Sequence, residues 1–216
     1  MAFDLASILA NTGRVVRNLE RDGQPAKAVV LSQVYDTDLA DLWDAVTRPE
    51  RLRRWFGNVS GDLQRGGRFQ IEGNASGTIV ECRPQELIVV TWEFGTTKSQ
   101  VTARLSSEGE GARLEVEHLL PVDPHWDQYG PGAVGTGWDL WITGLARHLT
   151  APDFVLSPDE AEAWFFTDEA RGMIRTACES WAAADIANGE EPAHARQTAE
   201  ATRRFYTGEA ASGQPG

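Results

Sequence analysis

Residues 61–121 alternate short β-branched and aromatic runs with turn residues, and this punctuation constrains the fold more than any other feature of the chain. GDLQRGGRFQIEG, ASGTIVECRP, ELIVVTWEFG, KSQVTARLSS and GARLEVEHLLP each read as a strand, and an earlier run, KAVVLSQVYD (27–36), reads as the first. The short gaps allow consecutive hairpins, hence an antiparallel meander. A meander this long must curl, and its concave face needs a cover. The segment that directly follows supplies one. Leu140, Trp141, Leu145 and Leu149 form an apolar stripe on a helix predicted to open at Thr136, with Asp139 as the reciprocal member of a capping box. Strands in one run with helices segregated from them argue an α+β class. A helix held in a curved sheet leaves space it does not fill, and that space is a natural pocket.

The remaining segments are helical in pattern. Leu5, Ile8, Leu9, Val15, Val16 and Leu19 recur at helical spacing, so residues 1–26 read as an amphipathic N-terminal extension with Gly13 as its weak point and Asp22–Pro25 as its end. Leu39, Leu42, Trp43 and Val46 share a helical face, and Thr47 and Glu50 have the spacing of a capping box for a second helix over about 49–56. The DPHWDQYGPGAVG stretch reads as a loop. From residue 151 the chain turns acidic and Ala-rich. Ser157-Pro158-Asp159-Glu160 starts a helix, 168–187 forms another that stops at Asn188-Gly189, and 192–206 a third that stops at Gly208. The domain organisation expected is thus an extension (1–26), a sheet-and-helix domain (27–150), a helical extension (151–208) packed on that domain or on a second copy, and a frayed end (209–216).

Composition removes several function classes. The formal charge is −12, with no basic patch to neutralise phosphates, so nucleic acid is not an expected partner. No apolar run approaches the roughly 18 residues a membrane span needs, and Asp4 stands where a signal peptide carries a basic residue. The expected location is the cytoplasm, where Cys82 and Cys178, far apart and without a CxxC partner, are reduced thiols. His118, His125, His148 and His194 show no metal-binding spacing, and no P-loop or nucleophile elbow is present. No metal or cofactor is expected.

DLWDAVTRPERLRRWF (41–56), GDLQRGGRFQ (61–70), ELIVVTWEF (86–94) and RLEVEH (113–118), in that order, resemble the activator-of-Hsp90-ATPase-like family. This family sits within the START/Bet v 1-like helix-grip superfamily, and the resemblance spans roughly residues 27–150. WDQYGPGAVGTGWDLW is similar to the same stretch of actinobacterial-type members. The resemblance implies an antiparallel sheet of about seven strands gripping a C-terminal helix. It also implies a superfamily of lipid and hormone binders, cyclases and aromatases, and co-chaperones, so fold alone does not fix function. Eukaryotic co-chaperones of the family engage Hsp90 through a separate N-terminal domain. With 26 residues ahead of the first strand, an Hsp90-type chaperone is the weaker partner expectation.

Candidate site residues follow from alternation and composition. In RLEVEH, Leu114, Val116 and His118 face one way, so His118 points inward, either as a ligand-orienting group or general base or as a hydrogen-bonded core histidine. Trp55, Phe69, Trp92, Phe94, Trp126, Tyr129, Trp138 and Trp141 provide aromatic walls for a flat apolar ligand, and equally provide core. Asp127 and Asp139 are carboxylates that an acid/base pair with His118 would use. Gly130–Gly135 fits G-x-G-x-x-G but lacks the βαβ context of a dinucleotide loop, which leaves a flexible rim segment or lid. Arg51, Arg53 and Arg54 form a local basic cluster, either a solvated helix face or a grip for an acidic group. The leading expectation is a small hydrophobic ligand bound in an internal pocket. The alternatives are a cyclase- or dehydratase-like enzyme using His118 and a protein-interaction module. A homodimer through the tail helices is a further expectation.

Overall fold

The computed structural model describes residues 5–154 and 157–209. Of the expected frayed end (209–216), residues 210–216 lie outside the described residues, and Glu209 accepts hydrogen bonds from Arg203 (2.8 Å). The described chain begins with a short helix, α1 (Leu5–Asn11), followed by a hairpin of β1 (Gly13–Arg21) and β2 (Gln24–Tyr35). Two helices follow, α2 (Leu39–Thr47) and α3 (Pro49–Leu52), and then β3 (Val59–Gly61), β4 (Arg68–Ile71), β5 (Ser76–Arg83), β6 (Leu87–Phe94), β7 (Thr97–Glu108) and β8 (Gly111–Pro121). Five helices complete the described chain: α4 (Pro124–Tyr129), α5 (Gly132–Thr150), α6 (Pro158–Trp164), α7 (Asp168–Ala187) and α8 (Pro192–Thr207). The eight strands form one antiparallel sheet in the order β1-β2-β8-β7-β6-β5-β4-β3. The α+β class and the curved sheet around a long helix agree with the sequence reading.

The N-terminal segment does not. Among its described residues Leu5–Asn11 alone is helical, and Gly13–Arg21 pairs with β2 in the register Val16↔Val29. Asp22 and Gly23 both have positive φ (53° and 74°), the geometry of a two-residue hairpin turn. The Asp-Gly pair closes a hairpin here where a helix end was expected, because β2 offers Gly13–Arg21 a full ladder of hydrogen bonds.

Three further boundaries differ. Thr47 is the last residue of α2 and its hydroxyl donates to the Trp43 carbonyl (2.6 Å), so it does not cap α3, which begins after Arg48 without a side-chain cap. The region read as a loop holds α4, whose Asp123 side chain accepts from the Trp126 N–H and whose first residue is Pro124. Helix α5 opens at Gly132 and not at Thr136. Gly130, at φ 59°, turns the chain between α4 and α5.

Helix α5 is buried on more than one side. Trp138, Ile142 and Leu145 face the sheet, while Gly135 and Thr136 meet α7. The expected single stripe is therefore too narrow. The approach to α7 is close enough that a Cβ at Gly135 would lie 2.2 Å from the fully buried Trp181 ring. Gly130 and Gly132 face Thr198 and Thr202 of α8 in the same manner. The G-x-G-x-x-G pattern is thus neither a nucleotide loop nor a lid; it lets two helices approach. On α7, Ala170, Met173, Ile174, Ala177, Cys178 and Trp181 recur at helical spacing and are buried. The tail helices pack on α5 and β1 of the same chain. The capping box at Ser157 and Glu160, and the left-handed Gly208 after α8, are both present.

Asp139 is not a helix cap. It is fully buried within α5, and Arg14 of β1 donates to it from Nη2 (2.7 Å) and Nε (3.1 Å). The Trp181 indole N–H donates to its second oxygen (2.8 Å). Arg14 Nη1 also donates to the carbonyls of Leu9 (3.2 Å) and Thr12 (3.1 Å). Replacing Arg14 with Met leaves a buried carboxylate without its countercharge, and the expected loss is about 3–5 kcal/mol. Urea denaturation checks this. A loss below about 1 kcal/mol would show that the ion pair does not organise the fold.

Candidate functional site

The inward alternation expected of β8 is observed: Ala112, Leu114, Val116 and His118 are buried in turn. His118 lies between Val29 of β2 and Val101 of β7 in the two ladders that flank it. Its ring makes two hydrogen bonds. The Trp138 indole N–H of α5 donates to Nδ1 (3.2 Å), and Nε2 lies 2.7 Å from the Ser99 hydroxyl of β7. Ser99 donates in turn to the Trp92 carbonyl (3.1 Å). Because Nδ1 accepts from an indole that can only donate, the neutral ring carries its proton on Nε2 and gives it to Ser99. The relay Trp138–His118–Ser99–Trp92 is complete in one protonation state alone.

Burial holds the His118 imidazole well below its ordinary value, down to about 3. Ser99 and Trp138, not a carboxylate or a tyrosine, occupy its two nitrogens. Asp139, the candidate acid, is committed to Arg14 and Trp181. Burial pushes its carboxyl upward, and Arg14 opposes the shift. Asp127 is exposed on α4.

The aromatic residues gather around this relay. The Trp92 ring centroid lies 5.7 Å from that of Trp138 and 5.9 Å from that of Trp141, and Trp138 and Trp141 meet edge-on at 4.9 Å. Phe56 packs on Trp141 at 4.5 Å. Between these rings and the tail helices lies a cavity of about 1000 Å³. Seven of the nine expected residues line it: Trp55, Trp92, Phe94, His118, Trp126, Trp138 and Trp141. The other two lie elsewhere. Phe69 is buried behind Trp92 (6.4 Å), and Tyr129 meets His125 and Phe205 at tilted ring contacts. Phe94 of the β6 end is 58% exposed and Phe205 of α8 56%, and both mark the rim.

Sequence reasoning missed Leu5, Leu140, Thr143, Trp164 and Met173, which also line the cavity. The first two and the last two form a small apolar cluster linking α1, α5, α6 and α7. The apolar spacing of α7 was a signal for burial, but not for burial against this space. The basic cluster divides: Arg51 pairs with Asp41 and donates to His148 Nε2 (3.1 Å), Arg54 donates to the Pro152 carbonyl (2.8 Å), and Arg53 is exposed. Among the described residues, no group of three or more His, Cys, Asp or Glu side chains could hold a metal ion, and no helix is long and apolar enough to cross a membrane.

The sequence model of the Activator of Hsp90 ATPase homolog 1-like protein family matches residues 36–150. The chain belongs to that family. Among solved structures it is similar to CalU16 from Micromonospora echinospora, at 30% identity. The match to the CalU16 crystal structure covers 80% of this chain and 97% of that one, with a TM-score of 0.63. The match to the CalU16 solution structure covers 82% and 97%, with a TM-score of 0.67. The Hsp90 activator PFC0360w of Plasmodium falciparum is 22% identical over 57% of this chain and 96% of its own, with a TM-score of 0.50, a likeness of fold alone. No curated protein matches the chain. The family match ends at Thr150, so the cavity of this family member takes part of its wall, through Trp164, Met173 and Phe205, from helices outside the matched region.

The depressed His118 value has a sign that can be checked. The unfolded chain takes up a proton near pH 6.5, whereas the native ring resists it down to about pH 3. The unfolded state therefore binds more protons across that window, and stability falls as pH falls through it, by about 1.4 kcal/mol per unit at most. His148, also held low by burial and by Arg51, acts in the same direction. A His118→Gln variant is expected to lose stability at pH 7 but to show a flatter fall in urea midpoint from pH 6.5 to pH 4 than the wild type. Equal slopes would mean that His118 titrates normally in the native protein.

Proposed function

We propose that this protein binds a small hydrophobic, aromatic or lipid-like ligand inside the cavity between β6–β8, α5 and the tail helices. The observation that carries this reading is the cavity itself. About 1000 Å³ is enough for a drug-sized molecule. The space is half open to solvent, and apolar surface left uncovered by protein is surface that an apolar ligand can take out of water. Membership of a helix-grip family supports the same reading, because that fold commonly binds hydrophobic ligands.

The binding reading is favoured over catalysis by the state of His118. A general base needs a free acceptor nitrogen and an ordinary value near working pH. Here Nδ1 is taken by Trp138, and burial holds the ring far below neutrality. In this reading His118 orients Trp138 and adds no charge of its own to the cavity wall.

Native mass spectrometry of gently purified protein is expected to show a co-purifying molecule of a few hundred daltons. A second measurement uses Nile red, an apolar probe whose emission rises out of water. Val134→Trp places extra volume on the cavity wall and is expected to weaken Nile red binding by about tenfold or more, equivalent to about 1.4 kcal/mol. Unchanged probe affinity in this variant, together with a clean apo mass, would overturn the binding reading and favour a protein-interaction role.

A further inference from the structure

Helix α5 presents three sides. Trp138, Ile142 and Leu145 face the sheet, and Gly135, Thr136 and Asp139 meet α7. The third side carries Ala133, Gly137, Leu140, Gly144 and Arg147, spaced three or four residues apart. Each of these is half-buried, and each lines the cavity. The helix rises about 21 Å from the first to the last. The cavity is therefore a trough along most of α5, with Trp138 and Trp141 on its sheet flank and Leu5, Trp164 and Met173 on its tail flank.

Two close approaches narrow this trough. A Cβ at Gly137 would lie 3.1 Å from the Tyr206 hydroxyl, and a Cβ at Gly144 would lie 3.1 Å from the Trp55 carbonyl oxygen. Both neighbours are held in place: the Tyr206 hydroxyl donates to the Ala133 carbonyl (2.9 Å) and the Trp55 indole to the Ala45 carbonyl (3.0 Å). A space that is long and narrowed at intervals suits a slender chain better than a wide rigid ring system.

The formal charges of the wall stand at its two ends. Arg147 lies at the end toward the C-terminus of α5, and Asp123 at the other, where β8 passes into α4. Among the described residues no other Asp, Glu, Lys or Arg side chain lines the cavity. The Asp123 carboxylate caps α4 by accepting from the Trp126 N–H (2.9 Å), and it disfavours a second anion at that end. The half-buried Arg147 guanidinium lies over the Phe154 ring (5.1 Å). A guanidinium carries five N–H donors, no acceptor and a permanent charge, so it can meet a carboxylate alongside the contacts it already makes.

We propose that the trough holds a long-chain carboxylic acid extended along α5, with its carboxylate at Arg147 and the end of its chain toward Ala133. The inference rests on the ligand-binding reading above and gives it a chemical class and an orientation. The apolar flanks provide affinity for the chain, by roughly fourfold at most for each methylene taken out of water. Arg147 decides between chains that differ in their head group, and the distance to Ala133 decides between chains that differ in length.

Tetradecanoate, octanoate and tetradecan-1-ol, each below its aggregation concentration, are the probes, and displacement of Nile red from the full chain reads their affinity. Tetradecanoate is expected to bind about tenfold tighter than tetradecan-1-ol, from the charge-assisted bonds at Arg147, and at least about tenfold tighter than octanoate, from the added methylenes. Arg147→Gln is expected to remove most of the preference for acid over alcohol and to leave tetradecan-1-ol within about twofold. Ala133→Phe fills the far end of the trough and is expected to weaken tetradecanoate about tenfold while leaving octanoate within about twofold, because the shorter chain does not reach it. Equal affinity for acid and alcohol, or an equal loss of both in Arg147→Gln, overturns the carboxylate at Arg147. Equal affinity for the two acids, or an equal loss of both in Ala133→Phe, overturns the chain extended along α5. Failure of all three compounds to displace bound Nile red overturns this inference and leaves the cavity reading intact. Failure of Nile red itself to bind overturns both.

Discussion

The buried carboxylate of Asp139 has one acceptable surrounding in this molecule, and much of the structure is arranged to provide it. Moving a carboxylate out of water costs several kcal/mol even after relaxation, so it must be met by charge and by donors. Arg14 meets it with two nitrogens and Trp181 with its indole. Those partners come from β1 and α7, two elements that also pack against each other. Arg14 also holds the end of α1 through the Leu9 and Thr12 carbonyls. Four elements are therefore fixed to one another at a single charge. Such a pair contributes little net energy against an apolar replacement, but it has a definite geometry. The contribution of this node is the position of α5 along and about its own axis, and that position sets which face of the helix looks at the cavity.

The second face of α5 is set by what is missing from it. Gly135 has no side chain where the Trp181 ring sits, and Gly132, with Gly130 just ahead of the helix, has none where Thr202 and Thr198 approach. These glycines let α7 and α8 lie close against one side. The bulky residues Trp138 and Trp141 are left to the other, where they meet Trp92 and Phe56. Helix α5 is thus asymmetric in size as well as in polarity. A stripe of small residues docks helices, and a stripe of rings faces the sheet.

This division explains what was legible in the sequence. The period-two burial of β8 and the helical spacing of α2 and α7 are local patterns, and Leu114, Val116, His118 and Trp181 are found buried as such patterns require. The nature of β1 was not legible. Val15, Val16 and Leu19 fit a helical spacing by coincidence, and the decision for a strand comes from pairing with β2 across the Asp22-Gly23 turn. Asp139 has the spacing of a capping residue, and its partner lies 125 positions earlier in the chain. No local rule connects the two. The site divides in the same way. The tryptophans of β6 and α5 announced themselves by composition, while Leu5, Trp164 and Met173 reach the cavity because the tail folds back, which apolar spacing alone does not specify.

The persistence of the cavity follows from how its rings are held. An apolar void closes when the side chains around it are free to move inward, since dispersion contacts are lost across every gap. Here the rings are not free. Trp138 is tied to His118, His118 to Ser99, and Ser99 to the backbone of β6, so the indole of α5 is fixed against the sheet by a directional chain. Trp55 is fixed by the Ala45 carbonyl, and Trp164 by Glu169. Each tie is modest alone, and each restricts a ring that would otherwise swing inward. His118 performs this task only while neutral, because protonation of Nδ1 would remove the acceptor for Trp138. Burial that keeps the imidazole unprotonated therefore also keeps the wall in place. His118 thus acts on the shape of the cavity, through Trp138.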